Sequence, residues 1–301
     1  MNTALPQIGW IGAGRMGVPM AGYILQAGYP LTVFSRNAAS RAKLVAQGAR
    51  EVTSTAECVR AADIVFASVA DDDALRAVAL GPDGLLAQAR RGTIFAETST
   101  VSAEVSAEVD EVARLLGIHY LRTPISGNAA SARTGDVTVL VSGPKPAWET
   151  IRPVLAAFSK AQVYLGEGES ARYMKLVINA LVVNTAQALA EALALGRKAG
   201  LAWDVMLDTI AASTIASPWL KVKSELLRQR DFTPTMTTRL ILKDLDLMLA
   251  AARTHDVPLP MIALTRQLMQ AAVGAGFADE DYMAIVKLAE QQSGLSSEEF
   301  D

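Results

Sequence analysis

Lys175 and Asn179 sit four residues apart in Tyr173-Met174-Lys175-Leu176-Val177-Ile178-Asn179, a segment otherwise apolar or aromatic. On a helix that spacing puts both side chains on one face, and Ala171, Val182 and Ala186 keep the face narrow and dry. Desolvation lowers a lysine from its ordinary pKa of about 10.4 toward the range where it can give and take protons near neutrality. The same lysine can instead thread its charged end out to water, and the pattern alone favours that plainer outcome.

A second constellation is Gly12-Ala13-Gly14-Arg15-Met16-Gly17, which follows an apolar run and opens a helical one. In a G-x-G-x-x-G turn the first glycine permits a tight bend and the second lets backbone approach a pyrophosphate. The third lets the helix pack close while its N-terminal N–H groups face the anion. The next strand ends in Ser35-Arg36-Asn37, where a carboxylate would be needed to hold the ribose hydroxyls of NAD. Arg36 instead suits the 2′-phosphate of NADP, so NADP is expected ahead of NAD; a solvated arginine at a helix start is the plainer account. Val69 and Ala70, then Ser99 and Thr100, follow two further strands, where ligands of open parallel sheets bind. Ser99 and Thr100 could contact cofactor or substrate, or cap the helix beginning near Ser102.

These residues need a scaffold, and the 301-residue chain is long enough for two domains. Hydrophobic residues make up 51% and charged residues 20%, a globular balance, and the net charge of −3 gives no footprint for nucleic acid or an anionic membrane. Small-molecule partners are expected. One cysteine, Cys58, and two histidines supply no disulfide and no metal cluster, which fits a reducing cytoplasm. Glycines and prolines break up the apolar N-terminal stretch, no basic segment precedes it, and the uncharged run Leu176–Ala190 is short of the roughly 20 residues of a spanning helix.

Glycine usage divides the chain, with 18 of 21 glycines at or before Gly200. In the first part strands at Gln7–Ile11, Leu31–Phe34, Asp63–Ser68, Thr93–Glu97, Ile118–Leu121, Val137–Val141 and Gln162–Leu165 alternate with helices at Met16–Ala27, Ala38–Gln47, Ala74–Ala79, Ser102–Leu116 and Lys145–Phe158. That alternation implies a mainly parallel sheet covered on both faces. From Glu169 to Lys198 a single helical pattern runs about 45 Å. Helices follow at Trp203–Ala212, Lys221–Arg230, Thr238–Thr254, Pro260–Val273 and Asp281–Gln291, with breaks near Pro218, Pro234 and Pro258 and a polar tail over Ser293–Asp301. The expected domains are 1–167 and 168–301, the second all-helical.

The order Ile8-Gly9-Trp10-Ile11-Gly12-Ala13-Gly14-Arg15-Met16-Gly17, Thr123-Pro124-Ile125-Ser126-Gly127-Asn128, Gly166-x-Gly168, Lys175 with Asn179, and Lys243-Asp244-Leu245 resembles the β-hydroxyacid dehydrogenases over almost the whole chain. The resemblance implies a Rossmann dinucleotide-binding domain, a long connecting helix and an all-helical C-terminal domain of the 6-phosphogluconate dehydrogenase type. It implies that Lys175 is the general acid/base in hydride transfer between a nicotinamide and a small aldehyde, keto acid or β-hydroxy acid, with Asn179 orienting the substrate. Ser126, Gly127 and Asn128 would meet a substrate carboxylate, with Thr100 beside them, and Lys243 would reach toward the substrate or the nicotinamide. A homodimer or homotetramer is expected from the long apolar helix. Arg122 and Asn128 depart from the family pattern; Arg122 either meets an extra acidic group or is solvated surface. Imine reduction and a non-catalytic NADP-binding sensor are the alternative functions.

Overall fold

The computed structural model describes residues 5–295, so the tail read over Ser293–Asp301 lies, from residue 296 on, outside the described residues. Two compact units divide the chain, Met1–Val177 and Ile178–Asp301.

The first unit begins β1 (Ile8–Ile11), α1 (Gly17–Gln26), β2 (Leu31–Phe34), α2 (Ala38–Val45), β3 (Arg50–Glu51), α3 (Thr55–Arg60), β4 (Ile64–Ala67), α4 (Asp72–Leu80), α5 (Leu85–Gln88), β5 (Ile94–Glu97), α6 (Ala103–Leu116) and β6 (His119–Arg122). These six strands form one parallel sheet in the order β3-β2-β1-β4-β5-β6. β1, β4 and β5 are buried at every residue, as strands covered on both faces must be. The chain reverses direction across the sheet between β1 and β4, the switch point beside which ligands of such folds bind.

The remainder of this unit holds β7 (Ile125–Ser126), α7 (Ala129–Arg133), β8 (Val137–Val141), α8 (Lys145–Ala156), β9 (Ser159–Tyr164) and the start of α9 (Ser170–Lys198). β7, β8 and β9 form a separate mixed sheet, with β7 antiparallel and β8–β9 parallel. The sequence expectation of a continuing parallel sheet therefore stops at β6; Pro124 and the short β7 turn the chain back onto β8.

Local chemistry explains most element boundaries. Asn37, Ser54, Asp71 and Ser102 cap α2, α3, α4 and α6 with side-chain oxygens on the free N–H groups of the first turn. Gly117 ends α6 in the left-handed conformation, φ 69°. Beneath the first turn of α1, buried Trp10 stacks on Phe66 with centroids 5.2 Å apart, and its Nε1 donates to the Gly12 carbonyl at 2.9 Å.

The second unit is helical: the rest of α9, then α10 (Trp203–Ala212), α11 (Pro218–Arg228), α12 (Thr238–Thr254), α13 (Pro260–Ala272) and α14 (Ile285–Gln292). Pro218, expected at a break, is the first residue of α11; Ser217 caps that helix and the fixed φ of proline suits its first turn. By length and composition α9 could cross a bilayer, contrary to the count from Leu176–Ala190 alone. Its polar side chains have protein partners, however: Asn184 accepts from Thr265 at 3.1 Å and Gln187 donates to Glu191 at 2.7 Å. This is how a core helix is built.

Candidate active site

The carboxyl ends of β1, β2, β4 and β5 bring the expected dinucleotide contacts together. Gly12 donates to the Phe34 carbonyl, Ser68 to Ile11 and Thr98 to Ala67, each at 2.9 Å, so the ladder extends past the strands and fixes the loops beyond them. In the glycine turn, Gly12 has φ +93° and a Cβ there would stand 2.1 Å from the Ser68 carbonyl oxygen. A Cβ on Gly17 would stand 2.2 Å from the Gly12 oxygen, while one on Gly14 would meet nothing within 4 Å. Two glycines thus serve the protein's own packing. The third leaves a cradle open to a ligand, beside a helix whose N-terminus has no side-chain cap. Ala13 is buried beneath this turn, Met16 is half-buried and Arg15 is exposed. The residues present fit a dinucleotide pyrophosphate.

At the end of β2, Ser35 is buried and its carbonyl accepts from Arg41, which also pairs with Glu51 at 2.8 Å. Arg36 is exposed, and among the described residues no carboxylate lies within ion-pair distance of it. Asn37 spends its side-chain oxygen on the N–H of Ser40 at 3.0 Å. Ser99 does not cap the following helix, a task done by Ser102. Its Oγ accepts the Val69 N–H at 2.7 Å and ties the loop after β4 to the loop after β5. Ala70 is exposed and Thr100 half-buried at the same edge.

Ser126 ends β7, and Asn128 caps α7 in a reciprocal box: its Oδ1 accepts from Ala130 and Ser131, and its N–H donates to Ser131 Oγ. Asn128 therefore has a local structural task that the family comparison of residue types did not suggest.

Arg122 is neither solvated surface nor open to a ligand. It is 2% exposed, donates to Glu169 and to Asp110, and lies over the Tyr120 ring at 4.6 Å. Burial pulls its pKa down, but Glu169, with Tyr120 and Asp110, more than offsets this and holds the guanidinium above its ordinary value. The signal missed in sequence was Glu169, 47 residues away. A second buried pair, Arg172 with Glu97, was also missed.

Lys175 is 8% exposed and Asn179 7%, one turn apart on the same face of α9. In the helical unit Asn179 Nδ2 donates to Asp244 Oδ2 at 2.7 Å, and Lys243 Nζ stands 3.1 Å from the other carboxylate oxygen. That second contact is an ion pair without hydrogen-bond geometry, as Oδ1 has no hydrogen-bond partner. Asp244 belongs to the Lys243-Asp244-Leu245 motif, but only its burial and its aim at Asn179 reveal what it does.

A glycine turn at the switch point of a parallel sheet, followed by a helical unit carrying a buried polar cluster, defines a dinucleotide-dependent oxidoreductase. Residues 7–166 match the NAD binding domain of 6-phosphogluconate dehydrogenase, and residues 169–289 match the family described as NAD-binding of NADP-dependent 3-hydroxyisobutyrate dehydrogenase. The chain is similar to 2-(hydroxymethyl)glutarate dehydrogenase of Eubacterium barkeri, 34% identical over 96% of this chain and 97% of that one. It is similar to NAD-dependent L-serine dehydrogenase of Pseudomonas aeruginosa, 31% identical over 96% of this chain and all of that one. Among solved structures, 3-hydroxyisobutyrate dehydrogenase from Salmonella typhimurium superposes with a TM-score of 0.85 at 27% identity, covering 94% of this chain and 99% of that one. The chain belongs to the β-hydroxyacid dehydrogenase family and is an NAD(P)-dependent hydroxyacid dehydrogenase.

Proposed function

We propose that the chain is an NADP-dependent oxidoreductase interconverting a small, carboxylate-bearing aldehyde or keto acid with its hydroxy acid, and that Lys175 is its general acid/base. The nicotinamide, when bound, supplies or accepts the hydride. Lys175 gives a proton to the carbonyl oxygen during reduction and takes it from the hydroxyl during oxidation. Asn179, its amide held by Asp244, orients the substrate, while Ser126, Gly127 and Asn128, with Thr100, meet its carboxylate through backbone N–H groups other than that of Asn128, the Ser126 hydroxyl and the Asn128 side-chain NH2. Gly12, Ala13, Gly14, Arg15 and Met16 hold the pyrophosphate. Ser35, Arg36 and Asn37 hold the adenosine end with its 2′-phosphate; Val69, Ala70 and Ser99 line the nicotinamide side, and Lys243 is assigned to the cofactor on the family pattern.

The observation that carries this reading is a lysine only 8% exposed, one helical turn from an amide that is itself held by a buried carboxylate. Lys175→Ala tests it. Turnover is expected to collapse while NADPH still binds, and near-normal turnover would reject the assignment. Domains at 1–167 and 168–301, a cytoplasmic location and a homodimer or homotetramer complete the proposal; a single cysteine, which fits a reducing compartment, and the apolar exposed face of α9 support the last two.

A further inference from the structure

Glu97 and Arg122 are direct cross-strand partners at the ends of β5 and β6. They do not neutralise each other. Each pairs instead with a residue of opposite charge at the start of α9, Glu97 with Arg172 and Arg122 with Glu169, so four buried or largely buried charges alternate around a square. Residues 169 and 172 are three apart and share one side of the helix start.

Arg172 is the most tightly held of the four. Its Nη2 donates to Glu97 Oε2 and to Tyr120 OH, its Nη1 to the Ser99 carbonyl at 2.8 Å and its Nε to Ser106 Oγ at 3.2 Å. Glu97 Oε1 accepts the Ser99 N–H at 2.7 Å, and Ser99 Oγ in turn accepts the Val69 N–H. Every member lies in the first unit, as does Lys175. Burial opposes the charge on Arg172, but its surroundings, Glu97 foremost with Tyr120 and Glu169, together more than compensate, so the guanidinium stays ionised.

We infer that Arg172 and Glu97 are positioning residues: their ion pair fixes the first turn of α9 against the carboxyl end of β5, and so sets Lys175, three residues on, in register with the loops of Val69 and Ser99. A buried ion pair is poor evidence of stabilisation, since an apolar pair of similar volume often does as well. What the pair provides, and an apolar replacement would not, is direction: four of the five N–H donors of one planar group are engaged, which allows α9 a single rotation about its axis. The inference rests on the proposed role of Lys175 for its catalytic consequence, but not for its geometry.

Two variants separate the possibilities. Arg172→Lys keeps the charge and loses the fork; Glu97→Gln/Arg172→Met removes both charges together and restores a neutral interior. Each full-length variant is measured for melting temperature, for kcat and KM, and for the rate at which Lys175 is reductively methylated by formaldehyde with cyanoborohydride as hydride donor, read by peptide mass spectrometry. Both are expected to melt near the parent, to label Lys175 several-fold faster, and to lose about 100-fold in kcat with a smaller change in KM, the scale of a misplacement near 1 Å. Faster labelling with kcat unchanged would leave the positioning role standing and remove the catalytic role of Lys175. Labelling at the parent rate in both variants would overturn the inference whatever happens to turnover, and recovery of labelling and kcat together with melting in the double variant would reduce the pair to packing. If the double variant does not fold, Arg172→Lys decides alone.

Discussion

Asp244, 1% exposed, accepts the side-chain amide of Asn179 at 2.7 Å and pairs with Lys243 beside it in sequence. One carboxylate thus holds two of the residues that the family pattern places at the chemistry. Asp246, three residues from Lys243, pairs with Arg266 at 2.8 Å.

The two duties of Asp244 can be separated. Asp244→Asn keeps an acceptor oxygen for Asn179 and gives up the charge facing Lys243, whereas Asp244→Ala removes both. If orientation of Asn179 is what matters, kcat/KM falls by roughly tenfold or less in Asp244→Asn and by about 100-fold in Asp244→Ala, the range expected when a positioning contact is lost. Equal losses in the two variants would shift the weight to the ion pair with Lys243.

The glycine turn makes a sharper distinction. Gly12→Ala and Gly17→Ala each drive a Cβ to within 2.2 Å or less of a carbonyl oxygen, so both should lower the melting temperature of the apoprotein. Gly14→Ala meets no protein atom and should melt like the parent, while NADPH binding weakens because the methyl group occupies the ligand's cradle. Thermal melting with and without NADPH checks all three. A Gly14→Ala protein that binds NADPH normally would place the pyrophosphate elsewhere.

Arg36 is exposed and, among the described residues, free of any carboxylate partner, so its deletion leaves nothing buried and unpaired. Arg36→Ala should cost NADPH about 1.5–3 kcal/mol, the usual worth of hydrogen bonds to a charged group, or roughly 10- to 150-fold in Kd. NADH, without the 2′-phosphate, should lose little. Fluorescence titration of both dinucleotides decides, and equal losses would contradict NADP preference.

How far the sequence could be read followed the range of the forces involved. β2, α10 and α12 have the expected ends, Leu31–Phe34, Trp203–Ala212 and Thr238–Thr254, because local signals set them, apolar periodicity in each and the Thr237 cap for α12. β3 and β7 are two residues long and carry no period, and α7 depends on the single cap Asn128. The glycine turn was legible because its constraint is backbone sterics within a few residues. The pairs Arg122–Glu169 and Arg172–Glu97 were not, because their partners are 47 and 75 residues apart and a charged side chain reads as surface until its partner is seen.

Cys58 is buried, its Sγ 3.5 Å from the Thr32 carbonyl oxygen and 3.6 Å from that of Trp10, and burial pushes the thiol up to about 12. The folded state therefore keeps a proton that the unfolded chain gives up near 9, and this contribution to stability is complete below about 9 and is lost as pH rises toward 12. Cys58→Ala should have a shallower alkaline fall in stability than the parent. At pH 8 the native thiol should be inert to an aromatic disulfide reagent and should react at once on unfolding; fast reaction of the native protein would show the site to be open.

α9 exposes Met174, Leu181, Ala188 and Leu195 at seven-residue intervals, with Val177 and Ala192 beside them, and Leu181 and Leu195 are 69% and 72% exposed. Seven-residue spacing of apolar side chains is the seam of paired helices, and no charge interrupts it from Leu176 to Ala190. A second copy of the same helix, run antiparallel, presents the matching surface, as a two-fold contact requires. Light scattering at micromolar concentration should give a multiple of 31.9 kDa. Leu181→Lys places a charge at the middle of the seam on a side chain that the monomer leaves in solvent, so it should lower the mass toward one chain while the isolated protomer keeps its helix content. A parent protein that scatters as a monomer would remove the assembly, and a Leu181→Lys protein of undiminished mass would move the contact off α9.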